Sequence, residues 1–86
     1  MGLELLNWIK DGKYRIRTLE LLSFGSLLSS ELANKLNVNR ASMSRILGAL
    51  KERDLVYSVS ERSRTVTYTI TRKGVELLKT VKSYKQ

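Results

Sequence analysis

ELANKLNVNRASMSRILGALKERDLV, residues 31–56, is the stretch of sequence that decides the fold of this chain. Its apolar residues recur at helical spacing on both sides of Asn37-Val38-Asn39, and asparagine is a common turn residue. The pattern predicts a short helix over residues 29–36, a break, and a longer helix over residues 40–53. Asn39 is suited to cap the second helix, because its side chain accepts hydrogen bonds from first-turn N–H groups.

The predicted helix over residues 40–53 has an apolar face and a small, basic face. The apolar stripe consists of Met43, Ile46, Leu47 and Leu50 and must face a core. The opposite face carries Ala41, Ser44, Arg45, Gly48 and Glu52. A glycine inside a helix costs about 1 kcal/mol, so Gly48 requires a reason. That reason is either close approach to a nucleic-acid groove or close packing against another helix.

After this helix the hydrophobic period changes from helical to two, which predicts a β-hairpin over residues 55–71. Apolar residues alternate with threonines in its second strand, and the charged segment Glu61-Arg62-Ser63-Arg64 forms its tip. Helical spacing returns over residues 72–84, where the chain is expected to form its last helix.

The region before the quoted stretch supplies the remaining elements. A helix is predicted over residues 14–24, and Gly25 suits a left-handed C-terminal cap. Residues 26–28 are too few for a helix and fit one short strand, while residues 1–12 form an amphipathic N-terminal segment. The predicted fold is therefore α+β in a single domain over residues 1–86. A three-helix core, a two- to three-stranded β-wing and a C-terminal helix together make a winged helix-turn-helix.

The charge composition favours a nucleic-acid partner. The chain has 16 Lys and Arg against 8 Asp and Glu, a formal net charge of +8, and a basic domain gains affinity for a polyanion by releasing counterions. Solubility or attraction to an anionic membrane surface would explain the same charge. Separately, no apolar run is long enough to predict a transmembrane helix. Cysteine and histidine are absent, which removes the commonest metal ligands and the commonest general base. We expect no metal, no cofactor and no enzymatic activity.

The small, basic face of the helix over residues 40–53 is the predicted contact surface for double-stranded DNA. An arginine on such a face can bind guanine O6 and N7 bidentately in the major groove. The predicted contacts are Asn39, Arg40, Ala41, Ser42, Ser44, Arg45 and Gly48 in the helix, and Arg62, Ser63 and Arg64 in the wing. Candidate phosphate contacts are Lys13, Arg15, Arg17, Ser29 and Ser30. The alternatives are solvated surface charge for the cationic residues and helix capping for the two serines.

The ordered set of motifs resembles the DNA-binding core of MarR-type and related archaeal and bacterial winged-helix regulators. Residues 31–56 match a helix beginning with ELA, followed by a helix with a Ser-Arg pair, and YTITRKG at residues 68–74 matches the segment that closes the wing. The resemblance covers residues 15–80 and implies a transcription regulator. Asp54 stands where that family usually has glycine, although aspartate tolerates left-handed geometry. The family's extra helices for dimerisation and ligand binding are not matched, so its response to small molecules is not carried over.

Both ends of the chain hold more apolar residues than one small core obviously needs. This predicts a homodimer with isologous contacts between the end helices. The expected interface consists of Leu3, Leu6, Trp8, Ile9, Leu77, Val81 and Tyr84. The alternative is that both ends pack on the core of their own chain.

Together these features predict a sequence-specific, DNA-binding transcription regulator that acts as a dimer on a palindromic site, in the cytoplasm and associated with the nucleoid. A winged helix used for protein–protein assembly and a non-specific, chromatin-like DNA binder are the alternatives, because the fold alone does not decide between them. A protein-binding version should present apolar or acidic residues on the helix face that is small and basic here.

Overall fold

The computed structural model of the chain describes residues 2–60 and 65–83. These residues form α1 (Leu3–Asp11), α2 (Arg15–Leu22), β1 (Leu27–Leu28), α3 (Ser29–Leu36), α4 (Arg40–Glu52), β2 (Val56–Ser60), β3 (Val66–Ile70) and α5 (Arg72–Ser83). The α+β, winged helix-turn-helix fold expected from the sequence is confirmed. The amphipathic N-terminal segment forms a helix of its own, α1.

The strands form one antiparallel sheet in the order β1-β3-β2. β3 is the central strand, and the short β1 pairs with it through Leu27 opposite Tyr68. β2 lies at the edge of the sheet and carries two exposed apolar side chains, Tyr57 and Val59. The sheet therefore ties the segment before α3 to the hairpin after α4.

The core is built mainly from leucines that α1–α5 and the start of β2 turn inward. Its members are Leu6, Ile9, Leu19, Leu22, Leu32, Ala33, Leu36, Met43, Leu47, Leu50, Leu55, Val56, Leu77, Leu78 and Val81. Thr18 is buried among them, and its Oγ1 donates a hydrogen bond of 2.7 Å to the carbonyl oxygen of Tyr14. In the described residues every buried polar side-chain atom has a hydrogen-bond partner, so the core carries no uncompensated polar group.

The end helices pack on this same core, which corrects part of the predicted dimer surface. α1 and α5 both contact α2, so their apolar stripes face their own chain. The expected interface residues that are buried in this way are Leu6, Ile9, Leu77 and Val81. They are not available to a second copy. Leu3 is 70% exposed, Trp8 is half-buried, and Tyr84 lies outside the described residues.

The turn between α3 and α4 has the geometry that its two asparagines favour. Asn37 ends α3 in the left-handed region, with φ 57° and ψ 47°. Asn39 caps α4, and its Oδ1 accepts the N–H of Ser42 at 2.7 Å. Both ends of the turn are thus fixed by local hydrogen bonding and backbone preference.

The start of α3 differs from the expected capping. The helix begins at Ser29, and Leu28 occupies the capping position, so the interpretation of Ser29 and Ser30 as caps is wrong. The Glu31 carboxylate accepts the N–H of Leu28 at 2.8 Å instead. This carboxylate satisfies one of the N–H groups that a helix start leaves without an intrahelical partner.

The hairpin is joined to α5 and to the end of α4 by a compact junction. The Thr71 N–H donates to the carbonyl oxygen of Leu55 at 3.0 Å, and the Gly74 N–H donates to Thr71 Oγ1 at 3.0 Å. A Cβ on Gly74 would overlap that Leu55 oxygen and lie 2.7 Å from Ile70 Cγ1. Asp54 just before this junction has φ 63°, which is the left-handed geometry expected at that position.

Candidate nucleic-acid interface

α4 presents the small, basic face to solvent and the apolar stripe to the core. Met43, Leu47 and Leu50 are at most 1% exposed, because the helix packs against α3 and β2. The exposed residues on the opposite face are Arg40, Ala41, Ser44, Arg45 and Gly48. The helix therefore offers two guanidinium groups on a surface with little side-chain bulk.

Gly48 has open space around it. A Cβ at this position would have no heavy atom within 4 Å beyond the local helix backbone and chain neighbours. Close packing against another helix of the described chain is thus excluded as the reason for this glycine. Close approach to a groove is the explanation that stays a prediction.

A cleft of about 550 Å³ opens beside this face, between the start of α3, the first half of α4 and β3. It brings together predicted DNA contacts from two elements: Ser29 and Ser30 from α3, and Arg40 and Ser44 from α4. The other lining residues are Leu28, Met43, Thr65, Val66 and Tyr68. The cleft connects the exposed face of α4 to the strand that leads out of the wing.

The polar groups of the cleft are those that proteins use to contact a DNA backbone. Hydroxyls of serine and threonine donate to phosphate oxygens, and an arginine adds a charge-assisted hydrogen bond. Arg40 is exposed in the first turn of α4. This arrangement can hold a phosphate or sugar edge while Arg45, further along the same helix, lies on the exposed face.

Arg15 has a different role from the predicted phosphate contact. Its guanidinium lies 4.1 Å from the centroid of the Trp8 ring, and Arg15 Nη1 donates a hydrogen bond to the Trp8 carbonyl oxygen. The Arg53 guanidinium lies 3.8 Å from the same centroid. Both guanidinium groups thus lie against the same ring. Trp8 therefore links α1 both to the start of α2 and to the end of α4.

The other two candidate contacts before α2 lie apart from the cleft. Lys13 is exposed, with Nζ 5.4 Å from the Tyr14 ring centroid. Arg17 is exposed and lines a different cavity, beside Phe24. The structure thus gathers the predicted contacts of α3 and α4 at one site but does not bring these cations to it.

The wing tip lies outside the described residues, and with it the predicted contacts Arg62, Ser63 and Arg64. β2 ends at Ser60 and β3 begins at Val66. The two strands flanking the tip are paired up to that point, with Ser60 opposite Val66.

Sequence reasoning missed the contribution of β3 to the cleft. Val66 and Tyr68 point to one side of the strand, because side chains two residues apart share a face, and both line the cleft. From the sequence alone, the alternation in this strand predicts only a hairpin. The strand is half-buried along its whole length. On its inner face, Ile70 packs against the core and Val66 lines the cleft.

The described residues offer no group of His, Cys, Asp and Glu side chains that could hold a metal ion. Within residues 2–60 and 65–83, none of the helices combines the length and the apolar character needed to cross a bilayer.

The fold is similar to solved structures of bacterial winged-helix proteins. ZitR of Lactococcus lactis, whose wild type was solved in complex with DNA, has a TM-score of 0.72 and 25% identity; the match covers 81% of this chain and 49% of ZitR. The adhesin competence repressor AdcR of Streptococcus pyogenes has a TM-score of 0.77 and 19% identity, and the match covers 85% of this chain and 56% of AdcR. YusO of Bacillus subtilis has a TM-score of 0.78 and 20% identity, and the match covers 83% of this chain and 52% of YusO. The chain spans about half the length of these proteins.

No curated protein matches the sequence significantly. The winged helix-turn-helix family matches it over residues 13–86, which is most of the chain and leaves α1 outside the match. The resemblance expected from the sequence is confirmed at the level of the winged helix-turn-helix fold. From the order of its elements, its sheet topology and this family match, the chain belongs to the winged helix-turn-helix family.

Proposed function

We propose that this chain binds double-stranded DNA sequence-specifically and regulates transcription, with α4 as the recognition helix. The observation that carries the proposal is the exposed face of α4, where Arg40 and Arg45 stand among residues with small side chains. Such a helix can enter the major groove closely enough for side chains to reach base edges. The net charge of +8 supplies the attraction to the polyanion.

The residues divide into those that read sequence and those that position the domain. Arg45 and Ser44 are proposed to contact base edges. Arg40, Ser29 and Ser30, which line the cleft beside α4, are proposed to contact the backbone of one strand. The solved complex of ZitR with DNA supports DNA binding by this chain, because the two folds are similar.

A homodimer on a palindromic site is part of the proposal. Two-fold symmetric proteins place two recognition helices one helical turn apart on a palindrome. Four of the seven expected interface residues are buried in the core, whereas Leu3, at the start of α1, is 70% exposed and accessible to a second copy. Sedimentation of the full chain at micromolar concentration tests this part: a mass of 9.9 kDa would contradict it.

A winged helix used only for protein assembly is disfavoured by the α4 face, which is basic rather than apolar or acidic. A non-specific DNA binder has the same charge, so an experiment must separate the two. Selection of bound sites from random duplexes, followed by titration of the selected site and a scrambled duplex at two salt concentrations, does so. We expect a palindromic consensus and at least about a thousandfold preference for it. Equal affinity for both duplexes would overturn specific regulation.

A further inference from the structure

We propose that the surface around Phe24, away from α4, docks an acidic amphipathic segment of another protein. Phe24 lies in the turn between α2 and β1 and is 90% exposed. The inference is independent of DNA binding, since no residue of this surface lines the cleft beside α4. We call it the Phe24 surface: an apolar centre of Leu21, Phe24 and Leu27, with Arg17, Glu20, Lys35 and Lys82 around it.

The backbone of the turn that carries the exposed ring is held by hydrogen bonds. The Phe24 N–H donates to the carbonyl oxygen of Leu21 at 3.2 Å, and the Gly25 N–H donates to that of Leu22 at 3.1 Å. Gly25 has φ 150°, a conformation that L residues rarely adopt. The turn therefore fixes the backbone from which the Phe24 side chain projects, so a partner would meet a position that is already formed.

Two cavities flank the ring, so the surface has both a projection and recesses. One of about 290 Å³ lies between Phe24 and Leu27 and is bordered by Lys35. The other, about 250 Å³, lies on the α2 side and is bordered by Arg17, Glu20 and Lys82. Leu21 lines both cavities. Aliphatic walls beside an exposed ring fit an aliphatic or aromatic anchor from a partner.

The charges select among possible occupants. Three exposed cations, Arg17, Lys35 and Lys82, border the cavities, against the single acid Glu20. A second copy of this chain would bring the same cationic border against itself, which is unfavourable for a chain of net charge +8. A partner with apolar anchors and flanking carboxylates complements both the centre and the border.

Single-stranded nucleic acid fits this surface less well. Such ligands stack successive bases on a series of aromatic rings, whereas the Phe24 surface has one aromatic ring between its two cavities. An acidic amphipathic helix has apolar residues at i, i+3, i+4 and i+7 on one side and acidic residues on the other. That pattern matches a leucine-walled recess with a cationic border.

The test uses the full chain and a synthetic acidic amphipathic peptide. The peptide has about 15 residues, enough for marginal helicity, with leucine and phenylalanine on one face and glutamate elsewhere. The chain contains a single phenylalanine, so ¹³C-phenylalanine labelling reports Phe24 alone. We expect a saturable shift of its ring resonances, and at least about tenfold weaker binding of the matched peptide with lysine in place of glutamate.

Variants locate the binding. Phe24→Ser should weaken peptide binding, measured by fluorescence anisotropy of labelled peptide, at least about tenfold, while Leu3→Ser removes a different exposed apolar side chain and should not. Lys35→Glu should weaken it, and Lys10→Glu, which makes the same change of net charge on α1, should have little effect. Phe24→Ser should bind duplex DNA as the parent chain does, and Lys35→Glu should weaken duplex binding no more than Lys10→Glu does.

Four results would overturn the proposal. The first is that the Phe24 ring signals do not shift when the acidic peptide is added. The second is that the glutamate peptide and the lysine peptide bind equally well. Oligothymidylate shifts the ring at lower concentration than the peptide does, which would indicate single-stranded nucleic acid. The chain alone self-associates in sedimentation and Phe24→Ser abolishes this, which would make a second copy the occupant.

Discussion

Thr71 Oγ1 donates a hydrogen bond of 2.7 Å to the carbonyl oxygen of Asp54, and this contact joins the end of β3 to the segment just after α4. The same hydroxyl accepts the N–H of Gly74 in the first turn of α5. One side chain thus fixes three segments: the exit of α4, the end of β3 and the start of α5. The threonine and glycine of the YTITRKG motif have a structural reason for their spacing.

Replacing this hydroxyl should loosen the whole junction. Thr71→Val keeps the shape of the side chain but leaves the Gly74 N–H and the Asp54 carbonyl without their partner. We expect the free energy of unfolding to fall by about 1–2 kcal/mol, the usual loss for a helix cap, measured by urea denaturation. Thr71→Ser retains the hydroxyl and should lose less than half as much. Equal losses for both variants would mean that methyl packing, rather than hydrogen bonding, matters here.

Gly74→Ala should destabilise the chain although alanine favours helices. The added Cβ would overlap the Leu55 carbonyl oxygen and lie 2.7 Å from Ile70 Cγ1, so β3 or α5 must shift. Overpacking of this kind costs about 1–3 kcal/mol. The matched control is Gly48→Ala, a helical glycine in open space, which should raise the free energy of unfolding by about 0.5–1 kcal/mol. Thermal denaturation of both variants measures these effects. Stabilisation by Gly74→Ala would contradict the tight packing inferred around Gly74.

Gly48 should separate stability from DNA binding. Because its surroundings are open, Gly48→Leu is expected to fold at least as stably as the parent chain. If α4 lies close to a groove, the same side chain must weaken binding of the selected duplex, by about tenfold or more. Anisotropy titration with labelled duplex measures this. Unchanged affinity for Gly48→Leu would show that this part of α4 stays clear of the DNA.

Arg45 should contribute to specificity rather than to general affinity. Arg45→Ala is expected to cost about 1–3 kcal/mol on the selected duplex and much less on a scrambled one. Lys13→Ala, which removes an exposed cation elsewhere, should weaken both duplexes slightly and equally. The measurement is a parallel titration at one fixed salt concentration. An equal loss of affinity on both duplexes for Arg45→Ala would indicate that this arginine contacts only the DNA phosphate backbone.

Arg53 should stabilise the chain through the Trp8 ring. Its guanidinium lies 3.8 Å from the ring centroid, and Arg53→Met keeps much of the aliphatic packing while removing the charge. We expect a loss of about 0.5–2 kcal/mol in the free energy of unfolding. Unfolding is measured through the fluorescence of Trp8, the single tryptophan. Arg45→Met, on the exposed face of α4, is the control and should stay within about 0.5 kcal/mol. Equal values for the two variants would contradict the stacking.

Local preferences made the helix-turn-helix predictable from the sequence. Asparagine at position 39 favours a cap, and aspartate at position 54 tolerates a left-handed turn; both act over a few residues, so periodicity and turn chemistry were sufficient. The inward residues of α4 followed from helical spacing, since a single amphipathic helix has one way to bury its stripe.

Contacts between distant segments were not predictable in this way. Arg15 stacks on Trp8 together with Arg53, and nothing local distinguishes such an arginine from one free to contact phosphate. Leu6 and Leu77 are buried because α1 and α5 pack on α2, whereas the apolar pattern of an end helix is the same whether it covers its own core or a partner. Tyr68 enters the cleft only because of the register between β3 and its neighbours.

The position of β2 has a consequence for how the protein behaves in concentrated solution. Its residues VYSVS carry no charge and lie on a strand with an open outer side, which is the kind of segment that recruits further strands and precipitates. Mutual repulsion of chains that each carry +8 opposes such stacking. Colloidal stability therefore depends on counterions, and turbidity should be highest where added polyanion just neutralises the protein and should clear again when either component is in excess.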